Sequence, residues 1–238
     1  MTGRCKNIFR FKPFVLCHDL SGLKVNTDSV LLGAWTDAAE ARRILDAGSG
    51  NGLLSLMMAY RYGRALVEGI EINARSHAES LRNLALNPGL ALRIRLYHRP
   101  LEDWKPGRPY DLIISNPPYF DRPAPMADEA RRQARHGGSS FIRALMQLAG
   151  QYLTPDGALY LIWPAGRRHL LLAYGYENGL FPARETMVAD YPGAPAKRTL
   201  WKWTRRRQRP YRLETLYLHR PDGSPTDAYR RLTGNYYL

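Results

Sequence analysis

From Arg42 to about Pro164 the chain alternates short apolar runs with amphipathic stretches, and this limits the fold more than any other feature. Residues 44–48 form a short apolar run ending in glycine, and residues 53–62 carry a dense apolar stripe at helical spacing. Residues 65–72 read as a second strand. Residues 73–87 read as a helix, with Asn73 as its N-cap and Asn87-Pro88-Gly89 as its stop. Further strands are expected at 92–98, 110–115 and 157–163, and a helix at 139–153. This order builds βαβ units: an α/β fold with a mostly parallel central sheet and helices on both faces. Such sheets bind ligands beyond the carboxyl ends of their strands. The loops after Asp46, Ile70, His98 and Ser115 are therefore expected to line one site.

The tail reads differently. Residues 199–204 and 213–218 look like strands joined by Arg205-Arg206-Arg207-Gln208-Arg209-Pro210, with an antiparallel strand expected here and a short helix over 226–232. The whole chain reads as one unit, divided into an N-terminal segment (1–41), a core (42–164) and a C-terminal part (165–238).

Thirty-five Lys and Arg against 21 Asp and Glu leave a net charge of +14, which calls for a polyanionic partner. The first 120 residues hold 16 basic and 11 acidic side chains, the remainder 19 and 10, so the positive field leans toward the second half. A hydrophobic share of 45% is ordinary for a globular chain and excludes a disordered or fibrous one. No apolar run approaches the roughly 18 residues of a membrane span. The apolar run after the basic N-terminus, residues 13–17, is too short for a signal peptide. Cys5 and Cys17 form no CxxC pair, so neither a disulfide framework nor a structural zinc site is expected, and no metal is called for. A soluble cytoplasmic protein is expected.

Asp46-Ala47-Gly48-Ser49-Gly50-Asn51-Gly52 lies between a strand and a helix. Glycines there permit positive φ and close approach of a ligand to the backbone. The third glycine comes one position too early for a dinucleotide fingerprint. A carboxylate leading the turn suits a ligand carrying an ammonium or sulfonium better than a pyrophosphate. Nineteen residues after Gly52, Glu71 ends the next strand, where a carboxylate can accept from both hydroxyls of a ribose. Together these features look like the S-adenosylmethionine site of class I methyltransferases.

Asp111-Leu112-Ile113-Ile114-Ser115-Asn116-Pro117-Pro118-Tyr119 carries the chemistry. Two prolines fix the backbone after a buried strand and leave carbonyls and the Asn116 amide oxygen as rigid acceptors. Tyr119 offers a flat face for stacking. Asn116 and the Pro117 carbonyl would each accept one N–H of a planar exocyclic NH2, aiming the nitrogen lone pair at an incoming methyl group. Catalysis would then rest on positioning and electrostatics.

This turn, with the glycine motif upstream, resembles N6-adenine methyltransferases and their amide-nitrogen relatives. Phe9-x-Phe11-Lys12, His18-Asp19 and residues 24–35 (KVNTDSVLLGAW) narrow the resemblance to the bacterial tRNA(Val) adenine-37 N6-methyltransferase family. The resemblance implies a Rossmann-like class I methyltransferase fold with S-adenosylmethionine as cofactor and tRNA as partner. It implies that Asp46, Gly48 and Gly50 meet the methionine part of the cofactor and Glu71 its ribose. Thr27 and Asp28 would lie in the segment closing over it, and Asn116, Pro117 and Tyr119 would hold the target adenine. The family usually places an Asp after the third strand for the cofactor adenine; here that position is Pro100. Backbone near Leu101, or the side chains of Glu102 or Asp103, would take over.

Residues 121–138 lack clear periodicity and read as a substrate loop, with Arg131, Arg135 and His136 set to touch RNA. Arg205, Arg206 and Arg207 are the other candidates, in a basic run that also holds Trp201 and Trp203. Those aromatics read equally as stacking platforms or as core. Rival readings are an adenine-N6 enzyme acting on rRNA, a glutamine N5-methyltransferase acting on a release factor, and a catalytically silent RNA-binding subunit. The glutamine enzymes usually carry an additional N-terminal helical domain, and the basic charge favours RNA.

Overall fold

The computed structural model describes residues 5–19, 25–118, 128–208 and 210–237; over residues 128–139 it describes backbone alone. The chain opens with strands β1 (Ile8–Arg10) and β2 (Val15–Cys17), then α1 (Thr27–Trp35). Next come β3 (Arg43–Ala47), α2 (Leu53–Arg61), β4 (Leu66–Glu71), α3 (Ala74–Leu86), α4 (Pro88–Ala91), β5 (Ile94–His98) and β6 (Tyr110–Ser115). The second half holds α5 (Asp128–Tyr152), β7 (Leu153–Pro164), α6 (Arg168–Glu177), β8 (Phe181–Ala189), β9 (Arg198–Thr204), β10 (Arg212–Tyr217) and α7 (Asp227–Thr233).

Eight strands form one sheet in the order β10-β8-β9-β7-β6-β3-β4-β5, and β1 pairs with β2 in a separate antiparallel hairpin. Every neighbouring pair in the large sheet is parallel except the two that involve β9. The mostly parallel sheet with one antiparallel strand near the C-terminus is thus as the sequence implies.

Side chains alternate across each strand, so the sheet buries two faces. Ile44, Leu112, Ile114, Ile162 and Leu200 join α1 and α2 in one core. Leu45, Ile113, Leu159, Leu161, Trp201 and Trp203 join α5 and α6 in the other. Local chemistry sets the helix starts. Asn26 caps α1, its side chain accepting from Ser29 N, and Asn73 caps α3, accepting from Arg75 N and Ser76 N.

Two expectations need correction, and two features of the tail were not read from the sequence. Residues 128–138 belong to α5 rather than to a loop; a polar, arginine-rich helical turn shows no apolar stripe to read. β8 and α6 carry too mixed a pattern to be read from the sequence. The two tail strands are not neighbours, because β8 lies between β9 and β10. Finally, Cys5 and Cys17 form a disulfide. The hairpin register, Ile8 opposite Cys17, brings the two cysteines together across a turn that spacing alone does not reveal. Among the described residues the one cluster of three potential metal ligands is Cys5, Cys17 and Asp19, and its two sulfurs are bonded to each other.

The hairpin is fixed to the core by side-chain amides. On one face of α3, Asn83 accepts from Cys17 N (2.7 Å) and donates to Cys17 O (3.0 Å). One turn later Asn87 does the same for Val15, at 3.0 and 2.8 Å. Asn83 Nδ2 also reaches Asn51 O at 2.8 Å, tying the hairpin to the glycine turn.

Candidate active site at the carboxyl edge of the sheet

The turn after β3 forms as its glycines require. Gly48, Gly50 and Gly52 have φ of 74°, 55° and 85°, a region that L side chains rarely adopt. The N–H groups of Gly48 and Ser49 both donate to Ile70 O at 2.9 Å, which locks the turn onto the end of β4. Space above it is tight: a Cβ on Gly48 would sit 3.0 Å from the ring of Phe141, on α5. Phe141 is a member of the site that the sequence gives no signal for.

Glu71 joins the two halves of this cradle. One carboxylate oxygen accepts from Gly50 N at 2.8 Å and the other from Asn73 N at 2.7 Å. An ionised carboxylate has about four acceptor positions, so two remain for ligand hydroxyls.

Asp46 lies under the turn and is fully buried. One oxygen accepts from Ser55 Oγ at 2.6 Å. The other oxygen, Asp46 Oδ1, has no partner among the described residues, and neither does the buried Ser49 Oγ. Burial pushes the carboxyl up to about 7, against the hydrogen bonds from Ser55 and with a further push from the charge of Glu71. Asp46 therefore meets the cradle from below, as a buried group beneath the glycines.

After β5, Pro100 precedes a single turn of 3-10 helix, Leu101–Asp103. Leu101 is buried in the α5-side core, with Trp104 packed against the same cluster, while Glu102 and Asp103 are exposed. The Leu101 side chain is thus an anchor, and its backbone lies at the sheet edge.

The Asn-Pro-Pro turn follows β6 directly. Ser115 Oγ donates to Ala47 O at 2.7 Å, joining the ends of β6 and β3. Asn116 Nδ2 donates to Ser29 Oγ at 2.8 Å, and Pro117 is buried. Ser29 belongs to the first turn of α1. In the same turn Asp28 forms an ion pair with Arg198 Nε at 2.8 Å, where β9 begins beside the end of β7. Thr27, the first residue of α1, is exposed. Asp28 is thus held by protein, and Ser29 and Arg198 are site residues that sequence reasoning missed. Tyr119 lies outside the described residues, as do the side chains of Arg131, Arg135 and His136, whose positions fall on α5.

The other proposed RNA contacts are not gathered here. Because β9 runs against its neighbours, it begins opposite Pro164 and ends opposite Ala158 of β7, and Arg205–Arg207 follow toward the opposite edge of the sheet from Asn116. There Arg205 Nη1 donates to Leu153 O at 3.1 Å and Arg206 pairs with Asp156 at 3.0 Å. Trp201 and Trp203 are wholly buried and stacked on each other, with centroids 5.3 Å apart; both are core.

Residues 15–170 match the methyltransferase small domain, which defines the class of fold and site. A predicted O-methyltransferase from Agrobacterium tumefaciens has the same fold at 21% identity, with a TM-score of 0.69 over 88% of this chain and 96% of that one. Among curated relatives, a tRNA1(Val) (adenine(37)-N6)-methyltransferase of Parabacteroides distasonis is 39% identical over 81% of each chain. One of Aeromonas salmonicida, with the same name, is 35% identical over 97% of each chain. The chain belongs to this family of tRNA1(Val) (adenine(37)-N6)-methyltransferases.

The residues fit S-adenosylmethionine. The glycine turn presents backbone without Cβ atoms, the Glu71 carboxylate has acceptor positions left for hydroxyls, and Asp46 Oδ1 and Ser49 Oγ at that turn are unpartnered among the described residues. Among the described residues no helix is long and apolar enough to cross a membrane.

Proposed function

We propose that this enzyme methylates the exocyclic N6 of adenine 37 in the anticodon loop of tRNA1(Val), in the cytoplasm where that RNA resides. The observation that carries the reading is the anchored acceptor turn: Asn116, fixed by Ser29, stands beside Pro117 at the edge that holds the glycine cradle.

When bound, S-adenosylmethionine supplies an electrophilic methyl group. Gly48, Gly50 and Glu71 hold it, with Asp46 below. The adenine amine is a poor nucleophile because its lone pair is delocalised into the ring. Asn116 Oδ1 and the Pro117 carbonyl accept its two N–H groups, and Tyr119 stacks on the ring. Acceptors placed off the ring plane favour a more tetrahedral nitrogen, with its lone pair free to attack. The residues hold and orient; none needs to change its own protonation before transfer. An anticodon loop is already single-stranded, so splaying the base out costs little unstacking energy.

Incubation with labelled cofactor and separate tRNA, rRNA and release-factor fractions tests the substrate class. Label in tRNA alone is expected. Label in the release factor would move the enzyme to the amide-nitrogen relatives.

A further inference from the structure

A cavity of about 330 Å³ opens on the α1 side of the sheet, over β7 to β10. Its lining includes Tyr160, Lys202, Arg184, Arg212, Asp37 and Gln208. The strand register sets Tyr160, Lys202, Arg184 and Arg212 side by side in one row across four strands. At about 4.8 Å per strand, β9 lies three strands, roughly 14 Å, from β3, and the lining shares no residue with the glycine cradle.

Three cations in one row of a sheet repel one another. Arg184 is relieved by an ion pair with Glu214 at 2.8 Å and lies 4.6 Å over the Trp35 ring. Lys202 has neither a hydrogen bond nor an ion pair among the described residues; its Nζ stands 5.5 Å from the centroid of Tyr160. Arg212 likewise has no ion pair there. Asp37, the one acid on the lining, is exposed. Burial holds the Lys202 ammonium below its usual range; Asp37 opposes the shift, and Arg184 and Arg212 add to it. A half-buried ammonium flanked by the Tyr160 ring on one strand and the Arg184 guanidinium on the other has given up water without gaining an ion pair among the described residues.

We propose that this cavity is a binding site for a phosphate group, held by Lys202 and Arg212 on either side of Arg184. Three cations around one cavity suit a tetrahedral anion with several oxygens better than a two-oxygen carboxylate. The phosphate has two possible sources, the backbone of the RNA substrate or a free phosphate monoester. The RNA source rests on the tRNA reading above, whereas the phosphate chemistry does not.

Thermal unfolding and calorimetric titration of the full chain with inorganic phosphate, against sodium chloride of equal ionic strength, test the site. Wild type is expected to bind phosphate beyond the chloride control. Lys202→Met and the exposed Arg212→Gln should each weaken it by about tenfold or more, the loss of one charge-assisted hydrogen bond, and Lys202→Arg should retain it. An RNA source predicts that the same variants weaken tRNA binding, with a salt slope lower by about one per lost contact. A monoester source predicts unchanged tRNA binding beside the lost phosphate binding. No phosphate effect in wild type, or equal binding in wild type and both neutral variants, would overturn the site. Absence of RNA methylation would sink the tRNA reading and leave the phosphate titration untouched.

Discussion

Asn116 Nδ2 donates to Ser29 Oγ at 2.8 Å, across 87 positions of chain. The bond fixes which end of the Asn116 amide faces Ser29, and so which way its oxygen is presented. Ser29 is in turn set by the cap of α1, since Ser29 N donates to Asn26 Oδ1 at 2.8 Å. A helix start thus orients a side chain at the end of a distant strand.

Ser29→Ala should therefore lower kcat about five- to tenfold, the worth of one neutral hydrogen bond, and leave cofactor affinity nearly unchanged. Asn116→Ala should abolish transfer with the same retention of cofactor. Single-turnover rates beside calorimetric titration separate the two effects. A loss of cofactor binding in Ser29→Ala would mean that the bond only holds the fold.

Glu71→Gln should weaken cofactor binding about 10- to 100-fold. Both carboxylate oxygens face backbone N–H groups, so a glutamine must turn its own NH2 toward one of them. Donor then meets donor, and a charge-assisted bond worth about 1.5–3 kcal/mol is lost. Titration with cofactor and with its demethylated product should show the same loss for both.

The Asp46 carboxyl is pushed up to about 7 by its burial. A raised folded-state value means that this group's contribution to stability is fully present below the ordinary carboxylate range. It is lost as pH rises toward 7. Asp46→Asn has no such loss. Its stability relative to wild type should grow between about pH 4 and 7 and level off above, with an upper bound of about 4 kcal/mol. Urea unfolding of both proteins at pH 5 and pH 8 measures the difference. A difference that shrinks with rising pH would contradict a buried, protonated Asp46.

Gly175→Ala tests whether Trp203 is core. The added Cβ would lie 2.4 Å from Trp203 Cζ3, inside a packed cluster. Overpacking of this kind costs about 1–3 kcal/mol. The expected outcome is a lower unfolding midpoint with unchanged RNA affinity; lost RNA affinity at full stability would return Trp203 to the binding surface.

What was legible in the sequence was local. Tyr110–Ser115 appears with the limits expected of it, Asn73 caps α3, and the three glycines adopt the positive φ their turn demands. These depend on residues near one another in the chain. Pairing across long separations was not legible. The direction of β9, which moves Arg205–Arg207 to the far edge, depends on β7 and β8 as partners. The bonds from Asn83 and Asn87 to β2 depend on a hairpin docking against a helix 66 to 72 positions away. Ser29 carried no signal of its own role, because its partner is known only once the sheet has formed.

The central claim is that the Asn116 turn directs a methyl group to N6 of one adenine. Its most direct measurement is mass-spectrometric mapping of unmodified tRNA1(Val) after incubation with the protein and S-adenosylmethionine. N6-methyladenine at position 37 alone, absent with Asn116→Ala, is the predicted result. Methylation at another atom or position, or the same product from Asn116→Ala, would contradict it.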